Sequence, residues 1–131
     1  MTAFFNTNIL VYAFLDVDKR RCALDVLAQG GMISAQVLNE FTQVSRSKRQ
    51  QSGSDIEAAV AVIRMQFPDV APITAETHAA GLALARDHGL SFYDALIVAT
   101  ALEAGCDTLY SEDLQDGRRL PGLAIVNPFA T

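Results

Sequence analysis

Short apolar runs alternate with helix-length amphipathic stretches along nearly all of this 131-residue chain, and that alternation leaves few folds open. Ala3 to Phe5 reads as a buried strand and Ile9 to Leu15 as a helix start. Lys19 to Ala28 carries helical apolar spacing and stops at Gly30-Gly31, a good breaker. Met32-Ile33 reads as a short strand. Ser34 then caps a helix with Val37, Leu38, Phe41 and Val44 on one face. Arg46 to Gly53 reads as a loop, and "SDIE" at 54–57 as a capping box opening a helix through Met65. After Pro68, Val70 to Ile73 suits a strand. Thr77 to His88 suits a helix closed by Gly89, and Tyr93 to Ala104 one closed by Gly105. Asp107 to Tyr110 and Leu123 to Val126 complete the strands. Strands separated by helices of this length pair in parallel through right-handed crossovers, so a three-layer α/β/α sandwich with a mainly parallel sheet is predicted. With no repeat, low-complexity segment or linker, residues 1–131 read as one domain.

Composition narrows the class. Half the residues are hydrophobic and 19% are charged, which argues against disorder. A net charge of -5 argues against indiscriminate adhesion to nucleic acid or anionic membrane, though not against a local basic groove. Cys22 and Cys106 are isolated thiols, as expected of a reducing cytoplasm. No Lys or Arg precedes Lys19 and no apolar run nears membrane-spanning length, so neither a signal peptide nor a membrane association is expected.

In an open parallel sheet, ligands gather beyond the carboxyl ends of the strands. Asn6, Thr7 and Asn8 follow the first strand; Ser111, Glu112 and Asp113 follow "DTLY". Asp94 opens a helix that is apolar nearly all round, and Glu40 lies beside the apolar face holding Val37, Leu38 and Phe41. Acids rarely enter such surroundings unpartnered. A cluster of oxygen ligands without His or Cys favours Mg²⁺ or Mn²⁺, an ion that polarises a phosphodiester and activates water. Singly, each position has an ordinary reading. Asp94 can close a capping box with Ser91, Glu40 can be a solvated helix residue, Asn8 can be a helix N-cap, and Asp113 can be a turn acid with Glu112 and Asp116 as rivals. Their placement at strand ends makes the case. His78 and His88 lack partners at ligand spacing and suit the surface. Val11, Phe14 and Leu15 suit the core better than a groove for a partner or a dimer face. Phe92 and Tyr93 suit packing better than stacking on a base.

The segments "FFNTNILVYAF", "VLNEF", "GLSFYDALIVATALEAGCDTLYSEDLQDG" and "NPF" resemble the PIN-domain family, above all the VapC-type toxins of bacterial toxin–antitoxin pairs. The resemblance runs from Phe4 to Phe129 in the family's order. It implies an endoribonuclease holding Mg²⁺ or Mn²⁺ with four acids. By position these fall on Asn6, Glu40, Asp94 and Asp113, with Thr7, Asn8 and Ser111 as supporting polar groups. It further implies an RNA substrate, a homodimer, and a cognate antitoxin that silences the nuclease.

Asn6 stands where the family has Asp. The amide is nearly isosteric but contributes one neutral oxygen, so metal affinity and activation of water should fall at least about 10–100-fold. A deliberate inactivating replacement and a naturally weakened homologue both fit; the intact remaining positions favour the former. Basic residues cluster at Lys19-Arg20-Arg21, at Arg46, Lys48 and Arg49, and at Arg118-Arg119. The last pair, with Arg46 and Lys48, are the candidate phosphate contacts. A non-catalytic protein that binds antitoxin or RNA without cutting is the alternative. A covalent aspartyl phosphohydrolase lacks its nucleophile in "NTN", and a dinucleotide fold lacks its glycine motif.

Overall fold

The computed structural model describes residues 2–114 and 117–130. One sheet runs in the order β1-β2-β4-β3, formed by β1 (Ala3–Phe5), β2 (Thr108–Tyr110), β3 (Arg119–Leu120) and β4 (Leu123–Val126). Phe5 faces Tyr110 and Leu109 faces Ile125 in two parallel pairings, while β3 lies antiparallel to β4. Flanking the sheet are α1 (Thr7–Leu15), α2 (Arg20–Leu27), α3 (Ala35–Ser47), α4 (Gly53–Gln66), α5 (Ala75–His88) and α6 (Phe92–Glu103). This is the predicted three-layer α/β/α architecture.

Every residue of β1 and β2 is buried, the pattern of parallel strands covered on both faces. α6 is buried from Ala95 to Ala101, as its all-round apolar sequence requires. Val11 belongs to the core and Phe14 and Leu15 pack against it. Gly30 adopts φ +84, and a Cβ on Gly31 would lie 2.6 Å from the Ala3 oxygen. One glycine therefore serves the turn and the next lets the chain pass close to β1. Among the described residues no helix is long and apolar enough to cross a membrane.

Several boundaries differ from expectation. The strands anticipated at 32–33 and 70–73 shrink to single bridges, Phe4 with Met32 and Ser34 with Ala71. Ser34 must turn into the N-cap of α3, accepting from Val37 N, and Pro72 has no N–H to extend a ladder. β3 was not anticipated, since two residues carry no readable period. α3 runs on through Arg46 into the expected loop. α4 is capped by Ser52, which accepts from Asp55 N, and not by a box starting at Ser54. Ser52 supplies the same hydroxyl chemistry two residues earlier. Likewise α5 starts under a Thr74–Thr77 capping box. Gly89 closes α5 with φ +66, as expected.

Candidate active site

β1 and β2 end side by side, with Asn6 N donating to the Tyr110 oxygen at 3.0 Å. The next side chains, Asn6 and Ser111, are 1% and 0% exposed. Asn6 Oδ1 accepts from Thr7 N at 2.7 Å, and Asn6 Nδ2 donates to Ser111 Oγ at 2.8 Å. A backbone N–H can only donate, so the orientation of this amide is fixed by its partners. Asn6, and not Asn8, is thus the N-cap of α1. Ser111 Oγ also accepts from Asp113 N and Leu114 N, which turns the chain directly after β2.

Glu40 and Asp113 both line a cleft of about 350 Å³ together with Thr7, Asn8, Tyr12 and Lys48. Thr7 Oγ1 donates to Glu40 Oε1 at 2.6 Å and Gln36 Nε2 to Glu40 Oε2 at 3.1 Å, so both oxygens of Glu40 are held. Asp113 is accessible as a residue, yet protein atoms around its carboxyl displace water. Burial therefore pushes its pKa above the ordinary 3.8, the Asn8 amide draws it down, Asp94 and Glu112 push it up, and Lys48 opposes them. Asp94 is thus near enough to repel Asp113 but does not line the cleft. Its backbone N–H is capped by Ser91 Oγ at 3.3 Å. Asn8 Nδ2 is buried and satisfies hydrogen-bond geometry with no group among the described residues, although it lies close enough to Asp113 to favour the charged form. Such an orphaned donor aimed at an acid is an unusual feature in a folded core.

Among the described residues no three His, Cys, Asp or Glu side chains converge on one point. The donor chemistry nevertheless fits a small hard cation. Mg²⁺ commonly takes only one or two carboxylates and fills its remaining positions with water and substrate phosphate. Glu40 and Asp113 offer those carboxylates across one cleft. Asn6 adds little, because its oxygen is already engaged in capping α1.

The other sequence candidates separate. Glu112 Oε2 pairs with Lys19 Nζ at 2.7 Å, and its Oε1 accepts from the Tyr12 hydroxyl. Burial alone would raise the Glu112 pKa, but Lys19 and Tyr12 hold it below the usual value. Asp116 lies outside the described residues. Arg118 donates to the His88 oxygen at the end of α5, and Arg119 is exposed on β3. Lys48 lines the cleft, whereas Arg46 is an exposed residue of α3. Arg49 also lines it, but is tied to the Leu15 oxygen at 3.2 Å and to Asp16 at 3.8 Å.

Gln36 and Tyr12 were not anticipated here. Each stands four residues from a candidate, Gln36 before Glu40 and Tyr12 after Asn8, so helical spacing carried the signal. Tyr93 was expected to pack, yet it is 60% exposed and shares a shallow recess with Glu40. A second cleft, of about 390 Å³, lies near the far end of α6. Its lining is mostly apolar, and its Glu103 is already bonded to Thr77 at 2.7 Å.

Comparison with known proteins agrees with the fold. The sequence model of the PIN domain matches residues 3–119. No curated protein sequence matches the chain. Among solved structures, a toxin–antitoxin complex from Klebsiella pneumoniae is similar with a TM-score of 0.75 and 25% identity, covering 99% of this chain and 100% of that one. VapBC2 from Rickettsia felis, bound to a DNA fragment from its promoter, gives 0.68 at 22% identity over 95% and 97% of the two chains. Mycobacterium tuberculosis VapC20, a sarcin–ricin loop cleaving toxin, gives 0.68 at 19% identity over 84% and 88%. At the identities of the last two, the likeness concerns the fold.

Proposed function

The chain belongs to the PIN-domain family, and from that premise we propose that it is a divalent-metal-dependent endoribonuclease, the toxin of a toxin–antitoxin pair, weakened by Asn6. The observation that carries this reading is the placement of Glu40 and Asp113 on one cleft beside the ends of β1 and β2. The likeness to a toxin–antitoxin complex over the full chain supports the class and the partner, a cognate antitoxin. A homodimer, an RNA substrate and a cytoplasmic setting complete the proposal.

Glu40 and Asp113 would hold Mg²⁺ or Mn²⁺ across the cleft, with Asp94, close enough to repel Asp113, as a third acid outside it and Asn6 as a poor fourth. When bound, the ion supplies charge stabilisation to a phosphodiester and a more acidic water. Thr7 and Gln36 fix the Glu40 carboxylate, so its oxygens need little reorganisation. Ser111 orders the backbone that presents Asp113. Asn8 offers its spare N–H to Asp113 or to a substrate oxygen. Lys48 sits where it can neutralise a phosphate of the bound strand.

Asn6 specifically favours a second reading, a non-catalytic protein that binds antitoxin or RNA. Its side chain is wholly engaged in capping α1 and bonding Ser111, a stable arrangement without a cation. The test is cleavage of total RNA and of a sarcin–ricin loop hairpin by the chain and by its Asn6→Asp variant, with Mn²⁺ or with EDTA. Cation-dependent cutting that appears or strengthens at least tenfold with Asp supports the nuclease. A folded Asn6→Asp protein that never cuts, yet binds RNA, selects the second reading.

A further inference from the structure

Sequence alone offers two consecutive acids after β2, Glu112 and Asp113, for a single ligand position. The structure treats them very differently. Lys19, just before α2, reaches Glu112 Oε2 at 2.7 Å. Its Nζ lies 4.4 Å from the centre of the Tyr12 ring and 5.6 Å from that of Phe129. Those rings meet edge to face at 5.0 Å, and the Tyr12 hydroxyl bonds the other oxygen of Glu112. Both Glu112 oxygens and the ammonium are thereby placed, and the aromatic box favours a cation at that spot. Phe129 is held there by the chain before it, where Cys22 Sγ donates to the Pro128 oxygen at 3.2 Å.

Glu112 stays close to the candidate site despite this. Tyr12 lines the same cleft as Asp113, and Glu112 N donates to Asn8 Oδ1 at 3.4 Å. Released from Lys19, its carboxylate would be held by Tyr12 alone, a residue that itself lines the cleft. The acids at the cleft would then number three, Glu40, Glu112 and Asp113, with two on adjacent residues.

We propose that Lys19 is a positioning residue that selects the metal-holding acid of the pair, clamping Glu112 against Tyr12 and leaving Asp113 free to face the cation. This rests on the nuclease reading of the same cleft. Among the described residues Lys19 pairs with Glu112 and not with Glu40, Asp94 or Asp113, so it acts through Glu112.

The test measures Mn²⁺ binding to the full chain without RNA, by calorimetry and by electron paramagnetic resonance, in the Asn6→Asp background. Asp113→Asn is expected to weaken Mn²⁺ at least tenfold. Adding Lys19→Met, whose apolar side chain still covers the two rings, is expected to regain most of that loss as Glu112 swings in. Lys19→Arg in the same place regains nothing, and Glu112→Gln abolishes the regain. Glu112→Gln by itself leaves affinity within threefold. Failure of Lys19→Met to rescue, a rescue that survives Glu112→Gln, or a tenfold loss from Glu112→Gln alone overturns the role of Lys19. Absence of Mn²⁺ binding by the folded Asn6→Asp protein instead rejects the metal site, and the selection with it. The Glu112→Gln measurement needs no change at Lys19, so it decides even where Lys19→Met does not fold.

Discussion

Thr7 Oγ1 donates to Glu40 Oε1 at 2.6 Å, joining the first turn of α1 to the middle of α3 across 33 positions of sequence. Thr7 is buried while Glu40 is only partly so. Hydrogen bonds to a charged group contribute roughly 1.5–3 kcal/mol. Thr7→Val keeps the volume and removes the donor. It should cost about 1.5 kcal/mol in urea denaturation and weaken Mn²⁺ binding to the Asn6→Asp protein. An unchanged midpoint together with unchanged Mn²⁺ affinity would mean that Gln36 alone fixes Glu40.

Asn6→Asp should fold nearly as well as the present chain. Asp caps a helix as effectively as Asn, and the Ser111 hydroxyl can rotate to donate where it now accepts. Against this, a new negative charge joins Glu40, Asp94 and Asp113. The stability change should stay within about 1 kcal/mol of the parent without cation. Added Mn²⁺ should then raise the melting temperature of the Asp form more than that of the Asn form. Equal shifts for both would show that position 6 does not bear on the cation.

Asp113 gives a pH dependence whose sign follows from its environment. Its folded pKa is raised, burial being the largest cause, from the ordinary 3.8. The folded state therefore holds this proton more tightly than the unfolded chain. That contribution to stability is fully present below the ordinary value and is lost as pH rises through the higher folded value. At neutral pH, Asp113→Asn should stabilise the cation-free protein, by about 0.5 kcal/mol after solvent screening. The gain should vanish in acid, below the ordinary value. Denaturation curves at several pH values check this; destabilisation at neutral pH would show that the Asn8 and Lys48 contacts outweigh burial and repulsion together.

Lys48 and Arg118 should part ways in RNA binding. Arg118 is spent on the His88 oxygen, where a cation also suits the carboxyl end of a helix. Lys48 lines the cleft and forms no ion pair within 4 Å among the described residues. Lys48→Ala should lessen the slope of log affinity against log salt by about 0.7, one single-strand phosphate contact. Arg118→Ala should leave that slope alone and lower thermal stability. The reverse pattern in salt titrations would place the strand along β3.

The sequence by itself determined the layer order, because strand-length apolar runs alternating with helices admit little else. It also determined which residues stand at the strand ends, since side-chain types there are read directly from the order of residues. It could not determine which of them face one another. Glu112 and Asp113 are neighbours with the same chemistry, and only the arrival of Lys19 and Tyr12 from elsewhere in the chain separates them. Arg118 looked like a free cation until the end of α5 came within reach. Asn6 and Ser111 meet because β1 and β2, 105 positions apart at that contact, lie in register. Local pattern fixes elements through short-range propensity and burial; partnership between charges depends on distances that only packing sets.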